Sequence, residues 1–379
     1  MTLAAYISFV PIGIATVLLG PLLPILSARW SLNYAQAAVL FPVQYVASTL
    51  AVALSGVLVS RWGFRFAIRA GLLLMTAGLA LVMAGPMWLA IICIAAYGGG
   101  LGIAVPAANL MVAELNPDRR SATLNWLNFC WSAGAVACPF LIAAAAKTHR
   151  VPLFLACVSG FSLMVAVYFI LMPNIDPLAK DHEDPKIISV IRNRLPPFLF
   201  LAVLFFLYVG TENGFGFWVA SLAKSLGTLT SSLALMTPSF FYAALTFGRL
   251  LAPPLLRRVD EMKLVQAGLL LACAGMAGMV FAHGLMGVLC SASAAGLGLS
   301  CVYPITISLL SRDFGRASSR IGSIMFVLSN IGGGSLPWVV GVTSNRFGTI
   351  KAGLFVPLLG CAVMYVLYLQ EWNRPKVAL

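Results

Sequence analysis

The chain has 379 residues, of which 61% are hydrophobic and only 9% charged, and its mean hydropathy is +0.97. Such values exclude a soluble globular domain and point to an integral membrane protein. A formal net charge of +13 would suit a nucleic-acid partner, but the placement of the basic residues, taken up below, excludes that partner.

Apolar stretches recur from end to end, and each is long enough to cross a hydrocarbon core of about 30 Å as a helix. Strands of a membrane barrel would instead alternate apolar and polar residues. The expected fold class is an all-α membrane protein of twelve transmembrane helices in two pseudo-symmetric six-helix bundles. In chain order the spans are predicted at roughly 4–28, 34–60, 66–86, 87–115, 119–146 and 151–172, then roughly 196–225, 230–257, 262–283, 285–312, 317–345 and 350–371. The first is too long for a signal peptide and has no basic residue before its apolar core.

Counting the N-terminus as inside, eighteen of the 24 Lys and Arg residues fall at inner span ends, from Arg61, Arg65 and Arg69 to Arg374 and Lys376, with Arg249 counted among them. Only Arg29, Lys147, Arg150, Lys224, Arg346 and Lys351 fall at outer ends. This bias predicts a multi-pass protein of a cell inner or plasma membrane with both termini cytoplasmic and no nucleic-acid partner. The eight cysteines, among them Cys93, Cys130 and Cys301, lie within spans and read as apolar packing residues rather than disulfides or metal ligands.

The chain repeats itself. "AGLLL" occurs at Ala70–Leu74 and at Ala267–Leu271, and Arg61 matches Arg258 at the same offset of 197. "GLG" at Gly100–Gly102 recurs at Gly296–Gly298 with an offset of 196, and Pro139 matches Pro337 with 198. Two parallel six-helix halves with a site at their interface are expected: an N-terminal bundle at 1–172, a cytoplasmic linker at 173–195 and a C-terminal bundle at 196–379. Within the linker, Ile187, Ile188 and Ile191 against Lys186, Arg192 and Arg194 suggest a short amphipathic helix on the inner membrane face.

Twelve spans in two repeated halves, with "GVLVSRWGFR" (Gly56–Arg65) between the second and third, resemble the major facilitator superfamily over essentially the whole chain. The loop is similar to the superfamily's Gly-x-Leu-x-Asp-Arg-x-Gly-Arg signature, and the resemblance implies a conformational role for Gly56, Arg61, Gly63 and Arg65. Ser60 stands where the family carries aspartate. Within the superfamily, "YVGTEN" (Tyr208–Asn213), "AAN" (Ala107–Asn109) and "LNWLNF" (Leu124–Phe129) are similar to the fucose, galactose and glucose proton symporters and to sodium-dependent glucose transporter-like proteins. Those symporters carry acidic residues in spans one and four, whereas "LLGPLLP" (Leu18–Pro24) and "GIAVPAAN" (Gly102–Asn109) have none.

Of eleven acidic residues, Glu212 alone lies deep in a span. A carboxylate there costs about 2.5–3.5 kcal/mol on insertion scales, so a functional role facing the bundle interior is the first reading. No lysine, arginine or histidine is expected at its depth. A carboxyl group withdrawn from water favours its neutral form, which makes proton coupling the leading chemistry. Sodium held by Glu212, Thr211 and Asn213 is a second route, and a structural hydrogen bond is the bland one.

Uncharged polar and aromatic residues gather near that depth. Asn125 and Asn128 share a face of span five, Tyr208 and Glu212 a face of span seven; Gln44 aligns with Tyr242, and Ser132 with Asn330. With Asn213 and Trp218 they form a candidate binding set of paired donors, acceptors and flat apolar faces that suits a neutral sugar. Each amide is also open to a plain interhelical hydrogen bond, and Trp218 to an interfacial anchor. The absence of an intramembrane cation argues against anionic solutes. The glycine runs lack the strand, lysine and hydroxyl of a phosphate loop, and they read as close helix contacts.

The expected function is therefore a secondary active transporter, not an enzyme and without a cofactor. Its partners are the lipid bilayer, a small neutral polar solute of the sugar class and a proton or sodium ion, and it acts as a monomer. The alternatives are a sodium-coupled or uncoupled sugar transporter, an efflux transporter of lipophilic compounds and a non-transporting solute receptor.

Overall fold

A computed structural model describes residues 1–171 and 187–372. Their regular structure is helical throughout, since in lipid a helix satisfies its own backbone groups. α1 (Thr2–Val17) and α2 (Leu19–Trp30) make one span bent by 45°. Pro21 offers no N–H to the Val17 carbonyl and its ring crowds that group, which places the bend at Leu18.

The short α3 (Tyr34–Ala38) opens with an Asn33–Gln36 capping box and leads into α4 (Leu40–Leu81). Together they cover 48 residues, roughly 70 Å at 1.5 Å per residue and more than twice a bilayer core. Gly63, at φ 78° and ψ 170°, breaks α4 into two spans. α5 (Met87–Leu115), α6 (Arg120–Lys147) and α7 (Val151–Ile170) follow.

α8 (Ile187–Asn193) precedes α9 (Leu195–Gly216), which continues as α10 (Val219–Ser225) in one 31-residue span. Next come α11 (Ser231–Leu256), α12 (Glu261–Val280) and α13 (Leu285–Leu299), the last continuing as α14 (Val302–Phe314). Pro304, which cannot donate to Ser300, accounts for the break between α13 and α14. α15 (Ser318–Phe347), α16 (Ile350–Gly353) and α17 (Phe355–Trp372) end the described chain. With the bent pair counted once and α4 as two, the described residues form the twelve spans predicted from composition. Of the expected linker, residues 173–186 lie outside the described residues, and the remainder carries α8.

By internal packing the chain divides into two units, one from the described residues of Met1–Asp181 with Ala220–Ser239, the other from those of His182–Val219 with Phe240–Leu379. In the first unit α4 and α5 meet through glycine. A Cβ at Gly98 would lie 2.5 Å from the Gln44 carbonyl oxygen, and one at Gly100 2.5 Å from that of Gly71. In the second unit Gly296 abuts the Phe241 carbonyl and Gly298 that of Gly268. The two glycine pairs do the same work at an offset of 198, so the contacts shift the "GLG" match by two residues from the offset of 196 expected from the sequence. Helices here are held by backbone proximity rather than by a difference in hydrophobicity, which lipid tails do not provide.

Candidate solute and coupling site

Residues 210–220 are buried without a break. A helix covered on all sides needs small residues where neighbours approach, and "GTENGFG" supplies three glycines. A Cβ at Gly210 would lie 2.9 Å from the Gly332 carbonyl of α15, and one at Gly216 2.9 Å from the Tyr242 hydroxyl of α11. This packing places Tyr208, Glu212 and Asn213 among α11, α14 and α15.

Glu212 does not stand alone. Its Oε2 is 3.7 Å from Arg249 Nη2, and the same nitrogen donates to the Tyr208 hydroxyl at 3.1 Å. The Tyr208 ring lies 5.4 Å from that of Tyr303, tilted by 31°. The Glu212 side chain is 10% exposed and that of Arg249 27%. This corrects the expectation that no cation reaches the depth of Glu212. Arg249 has its backbone seven residues from the end of α11, which suggested an inner-end residue, but helix side chains lean toward their own N-terminus. α9 and α11 are successive spans and run in opposite directions, so Glu212 and Arg249 lean toward each other. The long guanidinium stem closes the gap. The argument against anionic solutes falls with the same contact.

On α11 Tyr242 and Arg249 are seven residues apart, about two turns, and so lie on one stripe. Tyr242 and Leu245 on that stripe are buried, while Phe247 and Leu250 are exposed. Asn213 Nδ2 donates to the Gly333 carbonyl at 3.5 Å, and Trp218 Nε1 to that of Pro337 at 2.9 Å. Trp218 is 1% exposed, so it is a packed core residue and not an interfacial anchor. Asn330 is half-buried on α15.

The remaining candidates belong to the first unit. Gln44 is buried, and its Oε1 accepts from the Tyr97 hydroxyl at 3.0 Å while Nε2 donates to the Thr16 carbonyl at 3.5 Å. Trp131 Nε1 donates to Thr16 Oγ1 at 3.3 Å. Gln44 thus joins α1, α4 and α5. Asn125 and Asn128 are exposed, and Asn128 Nδ2 donates to the Leu124 carbonyl of its own helix at 3.0 Å.

In the basic loop, Gly63 takes a backbone conformation that only glycine adopts at low cost. Gly56 and Arg61 are exposed and Arg65 half-buried, while Ser60 Oγ donates to the Val57 carbonyl at 3.0 Å. Sequence reasoning passed over Arg249, Tyr303, Tyr97 and Thr16. Side-chain reach would have found Arg249; the other three carry no signal apart from ordinary span residues.

The comparisons agree with this architecture. A curated transporter of Yersinia pestis described as an uncharacterized MFS-type transporter is 24% identical over 301 residues, covering 79% of this chain and 77% of the relative. The glucose/mannose transporter GlcP of Bacillus subtilis is 20% identical over 366 residues, covering 91% and 88%. Among solved structures, the E. coli fucose:proton symporter FucP superposes with a TM-score of 0.67 at 20% identity, covering 99% of this chain and 98% of that one. The profile of the Major Facilitator Superfamily matches residues 5–337, and the chain, a multi-pass membrane protein, belongs to that superfamily.

Proposed function

We propose that the protein is a secondary active transporter that moves a small polar solute of the sugar class by alternating access, with a proton carried at Glu212. The observation that carries this reading is the Glu212–Arg249–Tyr208 cluster, in which a buried carboxylate inside one span meets a partly buried guanidinium from the next. Breaking such a pair leaves a charge uncompensated in a poorly hydrated site, so it persists where it is used or where a second charge can replace one partner. Protonation of Glu212 removes the negative charge and frees Arg249, which ties proton occupancy to a change in what the site can bind.

The named relatives support the solute class: one is a glucose/mannose transporter and another a fucose:proton symporter. Tyr208, Asn213, Tyr242 and Asn330 would serve the solute from one half, with Trp218 held in the core by its bond to the Pro337 carbonyl, and Gln44, Asn125 and Asn128 would serve it from the other. The halves 1–172 and 196–379, joined by the linker 173–195, would rock in a cell inner or plasma membrane with both termini cytoplasmic. Gly56, Arg61, Gly63 and Arg65 would shape the hinge, and the protein would act as a monomer.

The test is uptake of labelled monosaccharides, neutral and acidic, into proteoliposomes under imposed proton or sodium gradients. Accumulation driven by the proton gradient and lost in Glu212→Gln, with solute exchange retained, is the expected result. Equal accumulation by both proteins, or accumulation driven by sodium alone, would overturn the proton assignment.

A further inference from the structure

The guanidinium of Arg249 is engaged through one nitrogen only. Nη2 serves both the Tyr208 hydroxyl and the Glu212 carboxylate, and no described residue accepts from Nε or Nη1. Arginine has five N–H donors in a planar fork that matches a carboxylate in bidentate fashion. Here Glu212 offers it a single contact at 3.7 Å, longer than a charge-assisted hydrogen bond of about 2.7–2.9 Å. The pair is a loose one, and the arginine side chain keeps 27% of its exposure. The groups facing Glu212 are Tyr208 on its own helix, Arg249 of α11 and, across the ring contact with Tyr208, Tyr303 of α14.

We infer that Arg249 is the solute-recognition residue of this site and that the solute it takes is a monocarboxylate polyol, a sugar acid of the aldonate or uronate class. The inference rests on the reading of Glu212 as the proton carrier and names the solute. Arg249 requires one negative charge beside it, and two carboxylates compete for that place. When Glu212 is ionised it fills the place itself. When Glu212 is protonated, the solute carboxylate enters the open side of the fork, and the half-buried Tyr303 ring, backed by the buried Tyr208 ring, offers a flat face to the C–H surface of the polyol. One proton and one monoanion cross together and the carrier returns as the neutral Glu212–Arg249 pair, so the cycle moves no net charge.

Competition gives a signature that a structural ion pair lacks. The probes are D-gluconate, D-glucuronate and D-glucose, with binding measured by titration calorimetry on detergent-purified protein between pH 5 and 8. In the wild type, gluconate or glucuronate should bind at least tenfold more tightly at pH 5 than at pH 8. Glu212→Gln, with the competing carboxylate gone, should bind the acid at least tenfold more tightly than the wild type at pH 8 and lose the pH dependence. Arg249→Gln should lose acid binding at every pH, and Arg249→Lys, which keeps the charge but not the fork, should weaken it while remaining monodisperse on size exclusion.

The inference is overturned if D-glucose binds and neither acid does, which leaves the proton-coupled sugar reading intact. It is also overturned if Glu212→Gln weakens acid binding, or if none of the three probes binds. Acid binding with this competition signature, but without proton-driven accumulation in liposomes, would support the recognition role and count against the coupling role of Glu212.

Discussion

Replacing Arg249 by methionine removes the charge and keeps most of the stem. Two unit charges 3.7 Å apart attract by about 4 kcal/mol at the effective dielectric suited to partly buried pairs. Desolvation of both groups offsets part of that, and the 27% exposure of the arginine side chain screens more, leaving about 1–2 kcal/mol as the expected coupling. The assay is a double-mutant cycle of wild type, Arg249→Met, Glu212→Gln and the double substitution, read as thermal-unfolding midpoints in detergent at neutral pH. Arg249→Met should be the least stable of the four, because it strands a carboxylate among buried residues 210–220. The double variant should recover much of the loss, because the residue left behind is an uncharged amide. Losses that simply add would show that the two groups are neighbours without energetic coupling, and the electrostatic account of the site would fail.

Gly100→Ala should lower the midpoint, because its Cβ would meet the Gly71 carbonyl at 2.5 Å and the Met75 nitrogen at 2.6 Å, and overpacking of this kind costs about 1–3 kcal/mol. Gly56→Ala, with nothing within 4 Å, should be neutral or stabilising by up to about 1 kcal/mol in the same assay. Gly63→Ala should destabilise by about 1–3 kcal/mol, because φ 78° with ψ 170° is a conformation essentially restricted to glycine, and its effect on transport rate should exceed that of Gly56→Ala. Tyr97→Phe leaves the Gln44 Oε1 without its buried donor and should cost about 1–3 kcal/mol; an unchanged midpoint would mean that another group satisfies Gln44.

The fold was readable because the bilayer imposes one rule on every span: about twenty apolar residues in a helix. The boundaries followed from basic residues and prolines. The bend at Leu18 and the break before Val302 follow from Pro21 and Pro304 once the missing N–H is traced to its acceptor. The break at Gly63, too, was visible as a glycine between Trp62 and Phe64. What escaped was depth. Arg249 was placed by its backbone, and the reach of its side chain along α11 decides its partner. The identity of Glu212 as the unusual carboxylate was legible because ten other acids lie at span ends or in loops. Its partner was not, because the contact joins residues 37 positions apart and depends on how two helices face each other. For the same reason Gln44 was legible as a buried amide, while its ties to Tyr97 and Thr16 required the packing of three helices.

Solute and proton are expected to move together through Glu212. This coupling is read most directly as solute-driven proton movement, followed with a pH-sensitive dye sealed inside proteoliposomes that carry no imposed gradient. Adding a transported sugar or sugar acid outside should acidify the lumen with the wild type, one proton per solute, and should leave the lumen unchanged with Glu212→Gln even though that variant still exchanges labelled solute. Solute entry without acidification in the wild type, or acidification that survives in Glu212→Gln, would contradict the account.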